Sequence, residues 1–517
     1  MAERGDGGPP ATWELELADE QATIELAQTI ADLVRADDVV TLSGDLGAGK
    51  TTFARSMIRK LAGVADLEVP SPTFTLMQIY SAPSFQIVHA DLYRIEKPEE
   101  LAELGWEEAA EGALVLVEWP ERVGDQLAAD RLDIAFRLDP QNRDASFRRV
   151  VLSGYGRFAE RLGLARALHV LLQNSGWEGG DRSHMQGDAS TRAYERLTKE
   201  SRPPAILMIS PPRADGPPIR YGKSYGAIAH LAETIVPFLA IDQGLRTHGF
   251  SAPEIYASDS ETGLAILEDL GCEGIVDTQG PIAERYAEAT EVLARLHQLD
   301  LDGDLPIGSG GTYRIPTYDL DALSVEIELL LEWYAPHVAH VSLASGARAS
   351  FVNLWREALG EVVAAKRTWT LRDYHSPNLL WLADRDGQAR IGIIDFQDCV
   401  LGHPAYDVVS LLQDARVTVD DELELRLLSH YARARRSEFP GFDMAAFARA
   451  YAILGAQRAT KILGIFARLD KRDHKPHYLA HLPRVENYLR KSLAHPILAA
   501  LKSWYETNLP GIVSASS

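Results

Sequence analysis

Apolar residues recur at helical spacing over residues 18–33, and the run Val39-Val40-Thr41-Leu42 that follows predicts a strand at 39–43. Short strand-like runs then succeed one another at 74–80, 85–90, 114–118, 132–138 and 148–152, with a helical pattern at 98–111 between them. The residues ahead of 18 read as a Gly/Pro-rich, frayed start. Strands outnumber helices after residue 43, which predicts an α/β unit with a mixed sheet over residues 1–155. Helical spacing returns at 157–175, and Gly176 to Gly180 breaks it, so residues 156–180 read as linker and helix. Beyond lie strand-like runs at 205–209 and 264–268, then helical patterns at 286–297, 320–333 and 351–364. A β-rich start before a helix-rich remainder predicts a two-lobed unit at 181–517, with lobes of about 181–272 and 273–517.

Composition changes this picture little, except in charge. The 517 residues are 46% hydrophobic and 24% charged, an ordinary globular balance with room for two cores. The net charge of −22 is uneven, because residues 1–155 hold 28 acidic and 14 basic side chains, a difference of −14. Such a surface repels bare phosphate backbone, so action on RNA by this part requires a partner. Cys272 and Cys399 are the only cysteines and fall outside metal-ligand spacing, which suits a reducing compartment. Met1 to Asp6 lacks an apolar signal core and no apolar run reaches membrane-spanning length, so a cytoplasmic location without membrane contact is expected.

The chemistry begins at Gly44-Asp45-Leu46-Gly47-Ala48-Gly49-Lys50-Thr51-Thr52, directly behind the 39–43 strand. Strand, glycine turn and helix N-terminus form a phosphate-binding loop. The glycines turn backbone N–H groups toward phosphates, Lys50 adds a point charge, and the Thr51 hydroxyl reaches Mg²⁺. Val69-Pro70-Ser71-Pro72-Thr73-Phe74 is a proline-stiffened loop placed like a switch segment. His89-Ala90-Asp91-Leu92-Tyr93-Arg94 ends a strand with an Asp suited to Mg²⁺, and Leu116-Val117-Glu118-Trp119-Pro120 ends another with a carboxylate placed to polarise water.

In this order and spacing the four motifs resemble the TsaE family, across residues 11–155. The resemblance implies a P-loop ATPase that works with a TsaD–TsaB pair in making N6-threonylcarbamoyladenosine on tRNA, touching tRNA only through that assembly. On this resemblance Gly44, Asp45, Gly47, Ala48, Gly49, Lys50, Thr51 and Thr52 hold ATP, Thr73 senses it, Thr51 and Asp91 take Mg²⁺, and Glu118 supports hydrolysis.

A second nucleotide site is written at Leu371-Arg372-Asp373-Tyr374-His375-Ser376-Pro377-Asn378 and Ile393-Ile394-Asp395-Phe396. Phosphoryl transfer needs an acceptor hydroxyl aimed at a γ-phosphate and a cation to absorb charge. Asp373 is spaced to receive the hydroxyl proton, and Asn378 and Asp395 to offer hard oxygen ligands to Mg²⁺. Leu264 to Gly271 turns from an apolar strand into an acidic hinge at Glu268, where a kinase-type fold holds ATP. Asp407, His375 and His297 read as bracing or packing groups, and Asp398 as a metal neighbour or a surface carboxylate.

With Gly187-Asp188-Ala189-Ser190-Thr191-Arg192 and Gly402-His403-Pro404-Ala405-Tyr406-Asp407, these motifs resemble the aminoglycoside phosphotransferase-like kinases, closest to their cell-wall sugar kinase branch. That branch phosphorylates the anomeric hydroxyl of N-acetylmuramate and N-acetylglucosamine in peptidoglycan recycling. The resemblance makes Asp373 catalytic, places ATP against Ser190, Thr191, Arg192 and Glu268, and gives the metal to Asn378 and Asp395. The strand 205–208 reads Ala-Ile-Leu-Met where a kinase offers Val-Ala-Ile-Lys, so Arg192 or backbone groups stand in for the missing lysine. Two rivals remain at this point. An aminoglycoside kinase would want an acidic acceptor pocket, and a nucleotide- or sugar-sensing pseudokinase would have no need of Asp373, Asn378 and Asp395 together.

Overall fold

The computed structural model describes residues 10–95, 100, 105–122, 128–138, 147–185, 192–308 and 310–514. Ser190 and Thr191, the turn at 187–189 before them, and residues 98, 99 and 101–104 of the helix expected at 98–111 lie outside the described residues, while Trp106–Ala110 is helical. The chain divides into two compact units, Met1–Glu178 and Gly179–Ser517. No described helix is long and apolar enough to cross a membrane.

The first unit is built on seven strands: β1 (Ala11–Leu17), β2 (Val39–Ser43), β3 (Met77–Ser81), β4 (Gln86–Asp91), β5 (Ala113–Glu118), β6 (Arg131–Leu138) and β7 (Arg148–Tyr155). Their order is β1-β7-β6-β2-β5-β4-β3. β2 runs parallel to β5 and β6, and β4 runs parallel to β5, whereas β3, β7 and β1 pair antiparallel to their neighbours. Hence the sheet is mixed. β2 lies between parallel neighbours and reads as an unbroken apolar run because both of its faces are covered, with Val40 and Leu42 fully buried.

α1 (Glu20–Ala31) starts at Asp19, whose side chain accepts from Ala22 N, and α2 (Lys50–Ala62) stops at the left-handed Gly63. Both pack one face of the sheet through Leu26, Ile30, Phe53 and Met57. The sequence expects a frayed start before residue 18, and here the structure differs. In Ala11–Leu17 the alternation of Trp13, Leu15 and Leu17 with polar residues lets the strand pair with β7, opposing Trp13 to Leu152 and Leu17 to Arg148. α3 (Arg157–Asn174) packs on β1 and β7 through Phe158 and Leu162, within the first unit.

The second unit opens with a five-stranded antiparallel sheet of β8 (Asp181–Met185), β9 (Ala193–Lys199), β10 (Arg202–Ile209), β11 (Ile255–Asp259) and β12 (Leu264–Glu268), ordered β11-β12-β10-β9-β8. The helix Val236–Thr247 turns Phe238, Ile241 and Leu245 inward. Helices follow at Ala283–Leu296, Leu320–Leu329, Ser345–Ala364, Ala405–Leu412, Asp421–Glu438, Met444–Lys471 and Leu482–Leu493. The pattern expected as one helix over 320–333 is α-helical to Leu329 and then π-helical over Leu330–Tyr334. There the long helix Met444–Lys471 crosses so closely that a Cβ on Gly464 would meet the Leu329 carbonyl carbon at 2.4 Å. One continuous apolar core links these helices to the strands Leu379–Trp381 and Ile391–Ile393, which carry the ends of the second candidate site.

Candidate functional sites

In the first unit the end of β2 and the start of α2 set the loop geometry. Gly44 has φ +132°, and a Cβ there would meet Phe136 O of β6 at 2.4 Å, so only glycine lets strand and loop close together. Gly49, at φ +110°, makes the left-handed entry to α2. Lys50 is buried and its Nζ donates to Gly44 O at 2.6 Å and Asp45 O at 2.9 Å, while standing 3.8 Å from the Trp119 ring centroid. Burial pushes its pKa down, and Glu118, Glu121, Asp91 and Asp45 oppose that. Arg148, on β7, donates to Ala48 O at 3.0 Å and Gly47 O at 3.2 Å, bracing the loop from behind.

Two carboxylate clusters face this loop's motifs. Glu118, 2% exposed at the end of β5, accepts from Thr51 Oγ1 at 3.0 and 3.1 Å and from His89 Nε2 at 3.0 Å. Asp91, at the end of β4, accepts from Ser71 Oγ at 2.8 Å and Thr73 Oγ1 at 2.7 Å, and its other oxygen from Tyr93 N at 3.0 Å. β4 and β5 pair in register with Asp91 beside Glu118, so the two carboxylates leave the sheet side by side. Thr52 instead lines a recess between α1 and α2 with Ile24, Gln28 and Ser56. Hard oxygen donors beside a glycine cradle fit a metal-bound nucleotide triphosphate.

In the second unit the loop from Leu371 to Asn378 is held in a strained shape. Arg372 has φ +68° and Asp395 φ +59°, conformations that cost a non-glycine residue about 1–3 kcal/mol each. Asp407, fully buried, accepts Leu371 N at 2.7 Å and Arg372 N at 2.9 Å. Ser410 Oγ donates to Arg372 O at 3.0 Å, and Asp414 accepts both Ser376 N at 2.9 Å and Ser376 Oγ at 2.5 Å. The Arg372 guanidinium donates to Ala229 O at 2.9 Å and pairs with Glu326, a 0% exposed carboxylate that also accepts from Lys461 Nζ at 2.8 Å, Tyr318 OH at 2.5 Å and Gln457 Nε2 at 3.0 Å.

This frame leaves Asp373 with a 39% exposed side chain. Partial desolvation would raise its carboxyl, yet His375, Lys461, Arg458 and Arg372 together hold it below the ordinary carboxylate value. Asn378 Nδ2 donates to Asp373 O at 3.0 Å, which commits the amide nitrogen, so that a cation here would meet its Oδ1. Asp395 accepts from Arg192 Nη1 at 3.3 Å and Gln397 Nε2 at 2.9 Å, and burial together with the neighbouring Asp373 pushes its pKa up. Two close carboxylates plus an amide oxygen form a donor set whose repulsion a divalent cation would relieve.

The remaining sequence candidates have other duties. Glu268, expected to hold nucleotide at the hinge, pairs with Arg385 and accepts Glu254 N at 3.1 Å. Asp398 accepts Ala232 N at 2.7 Å. His297 is buried, with Nδ1 2.8 Å from Tyr431 OH and Nε2 4.0 Å from Asp407, and burial holds its pKa well below the usual value. His375 is likewise driven down to about 4 by burial. Sequence reading missed Arg148, Glu326, Lys461, Arg458 and Asp414. Each is an ordinary residue in its own segment, and its meaning comes from a partner distant in the chain.

Comparison with known proteins matches these two sites to two families. Residues 17–146 match the model of the threonylcarbamoyl adenosine biosynthesis protein TsaE, and residues 183–448 that of the phosphotransferase enzyme family. The N-acetylmuramate/N-acetylglucosamine kinase of Caulobacter vibrioides is 38% identical over 359 residues, covering 66% of this chain and 95% of that protein. The protein of the same description from Pseudomonas putida is 28% identical over 346 residues, covering 65% and 92%. The tRNA threonylcarbamoyladenosine biosynthesis protein TsaE of Rickettsia typhi is 42% identical over 127 residues, covering 25% of this chain and 88% of that protein. The chain therefore belongs to the TsaE family in its first unit and to the phosphotransferase enzyme family in its second, an enzyme that joins the two.

Proposed function

We propose that the second unit transfers the γ-phosphate of ATP to the anomeric hydroxyl of N-acetylmuramate or N-acetylglucosamine. The first unit, on this reading, hydrolyses ATP in support of tRNA N6-threonylcarbamoyladenosine synthesis by a TsaD–TsaB-like pair, in the cytoplasm. The observation that carries the kinase reading is the pair of strained positions, Arg372 and Asp395, around which Asp373, Asn378 and Asp395 come together. ATP with Mg²⁺ supplies the phosphoryl group and the neutralisation of its charge. Asn378 Oδ1 and the Asp395 carboxylate are the metal-side ligands. Asp373 accepts a hydrogen bond from the sugar hydroxyl, fixes that oxygen in line with the γ-phosphorus, and takes the proton as the new oxygen–phosphorus bond forms and the bond from the γ-phosphorus to the bridging oxygen breaks, releasing ADP. An anomeric hydroxyl is more acidic than an ordinary alcohol, so a carboxylate held below its usual pKa is base enough.

In the first unit Lys50 and the loop amides meet the phosphates, Thr51 and Asp91 hold the metal side, and Glu118, oriented by His89, positions water. The net −14 of residues 1–155 supports leaving tRNA contact to the partner proteins.

The test is a reaction of the full chain with ATP and each sugar. The product should be a sugar 1-phosphate, identified by its phosphorus–proton coupling and by loss of reducing-end reactivity. Asp373→Asn should lower kcat by about 10²–10⁴-fold with nucleotide binding kept. Phosphate on a non-anomeric hydroxyl, or only on an aminoglycoside, would refute the assignment.

A further inference from the structure

Past the helix Ala405–Leu412 the chain is pinned to the catalytic loop by one buried carboxylate, Asp414, which is 0% exposed. Its Oδ2 accepts Ser376 N at 2.9 Å and Ser376 Oγ at 2.5 Å, and its Oδ1 accepts Arg416 N at 2.8 Å. The Arg416 backbone is thereby fastened to that of Ser376. A side-chain contact repeats the connection, with Arg416 Nη1 3.5 Å from His375 Nε2. The same His375 Nε2 stands 3.8 Å from Asp373 Oδ1. His375 also lies between the two ends of the proposed reaction: its N donates to Asp373 O at 3.0 Å, and its O accepts Asn378 N at 2.9 Å. Asp373 marks the acceptor hydroxyl and Asn378 the metal-bound phosphate. Arg416 therefore meets the loop beside the gap that the γ-phosphoryl group must cross.

The imidazole between them governs what this cation can do. A guanidinium only donates, so in this contact His375 Nε2 accepts and the ring proton is on Nδ1. Nε2 then has no proton to give Asp373, whose carboxylate stays open to a hydroxyl, and the ring separates Arg416 from that carboxylate. Neighbouring cations have other duties. Arg192 lies 3.3 Å from Asp395, Arg372 and Lys461 pair with Glu326, and Arg458 Nη2 donates to Ser410 Oγ at 2.6 Å. On the strand where a kinase carries its phosphate-anchoring lysine, Met208 is 1% exposed and packed in the core. A phosphoryl group in transfer spreads charge over three equatorial oxygens, and preorganised cations aimed at them are a large source of rate.

We propose that Arg416 is the cation that meets the equatorial oxygens of the transferring phosphoryl group. The oxygen–phosphorus bond to the sugar forms, the bond from that phosphorus to the bridging oxygen of ADP breaks, and Asp373 takes the hydroxyl proton. Arg416 donates hydrogen bonds throughout and loses no proton. Asp414 and His375 act through it as positioning residues. The inference rests on the kinase reading of the second unit and adds to it a catalytic cation supplied by the helical lobe, in place of the lysine absent from the sheet.

The experiment uses the full chain as wild type, Arg416→Gln and Arg416→Lys, with N-acetylmuramate and N-acetylglucosamine as acceptors. Arg416→Gln should lower kcat about 10²–10³-fold on both sugars, with each KM within about 3-fold of wild type. Arg416→Lys should recover part of the loss, since it keeps the charge without the planar fork. Binding gives a readout apart from turnover. Affinity for Mg²⁺-ADP with aluminium fluoride, which mimics the planar phosphoryl group, should fall in Arg416→Gln, whereas affinity for Mg²⁺-ADP alone should not; the first unit's nucleotide site is common to all variants and cancels. A loss confined to N-acetylmuramate would place Arg416 on the sugar carboxylate and overturn the inference. Equal weakening of ADP and of its fluoride complex, or a lowered Tm with kcat kept, would mark Arg416 as structural and overturn it too. Failure of the wild type to phosphorylate either sugar would overturn the amino-sugar reading alone, and the fluoride comparison would still decide the role of Arg416.

Discussion

Replacing Glu326 with Gln removes one buried anion and leaves two cations, Arg372 (2% exposed side chain) and Lys461 (14%), facing each other across it. Gln keeps the volume and can still accept from Tyr318 or Gln457, so the perturbation is electrostatic. Breaking a buried pair by deleting one member costs about 3–5 kcal/mol, because the survivors keep their desolvation cost without their attraction. With an unfolding entropy of about 2.1 cal/mol/K per residue over a unit of this size, Tm should fall by about 4–7 °C. Catalysis should fall as well. Arg372 sits at φ +68° directly before Asp373, and a displacement of about 1 Å at the reacting group costs on the order of 10²-fold. Calorimetry of the full chain should show the second unit's transition lowered and the first unit's unmoved. Adding Lys461→Met should recover part of the loss, since the cluster regains its original charge. A Glu326→Gln protein within about 1 kcal/mol of wild type, or one destabilised with unchanged kcat, would refute this account of the loop.

Lys50→Ala should abolish ATP hydrolysis by the first unit and leave sugar phosphorylation intact; measured side by side, a large loss of kinase activity would show that the two sites are not independent. Asp407, pushed up to about 7 by burial, must be ionised to accept Leu371 N and Arg372 N, so kcat should decline as pH falls through about 7. Asp373 is held low and contributes no limb there, and Asp407→Asn should give a lower, flat acid profile. The same raised pKa means that this group's cost to folding is present above about 7 and is relieved as pH falls toward the unfolded carboxyl value. Gly44→Ala should disrupt the phosphate loop, because its Cβ would collide with Phe136 O, and loss of nucleotide binding by the first unit is the readout.

The phosphate loop was legible because its chemistry is contiguous: a strand, three glycines and Lys50-Thr51 announce themselves within 13 residues. Asp373, Asn378 and Asp395 were legible for the same reason, being fixed by short spacings. The Ala11–Leu17 strand was overlooked although it alternates cleanly, because the glycines and prolines ahead of it dominate the local composition. Glu326 was illegible in a different way. In its own segment it is a carboxylate on an apolar helix, and only folding brings Arg372, 46 positions away, and Lys461, 135 away, onto the same oxygen. Arg192 was expected to substitute for a phosphate-binding lysine, and the structure gives it Asp395, 203 residues on, as a partner. Glu268 looked free at a hinge until Arg385 claimed it.

The helix Met444–Lys471 lies almost wholly past residue 448, where the family match ends. Every motif that identifies the kinase precedes that point. Gln457, Arg458 and Lys461, which tie Glu326 and Ser410 to the catalytic loop, follow it. A truncation drawn at the family boundary would therefore retain the whole recognisable signature and discard the scaffold that keeps it in shape. The signature and the module are different lengths: inheritance of the reaction is recorded in the first, and competence to perform it depends on the second.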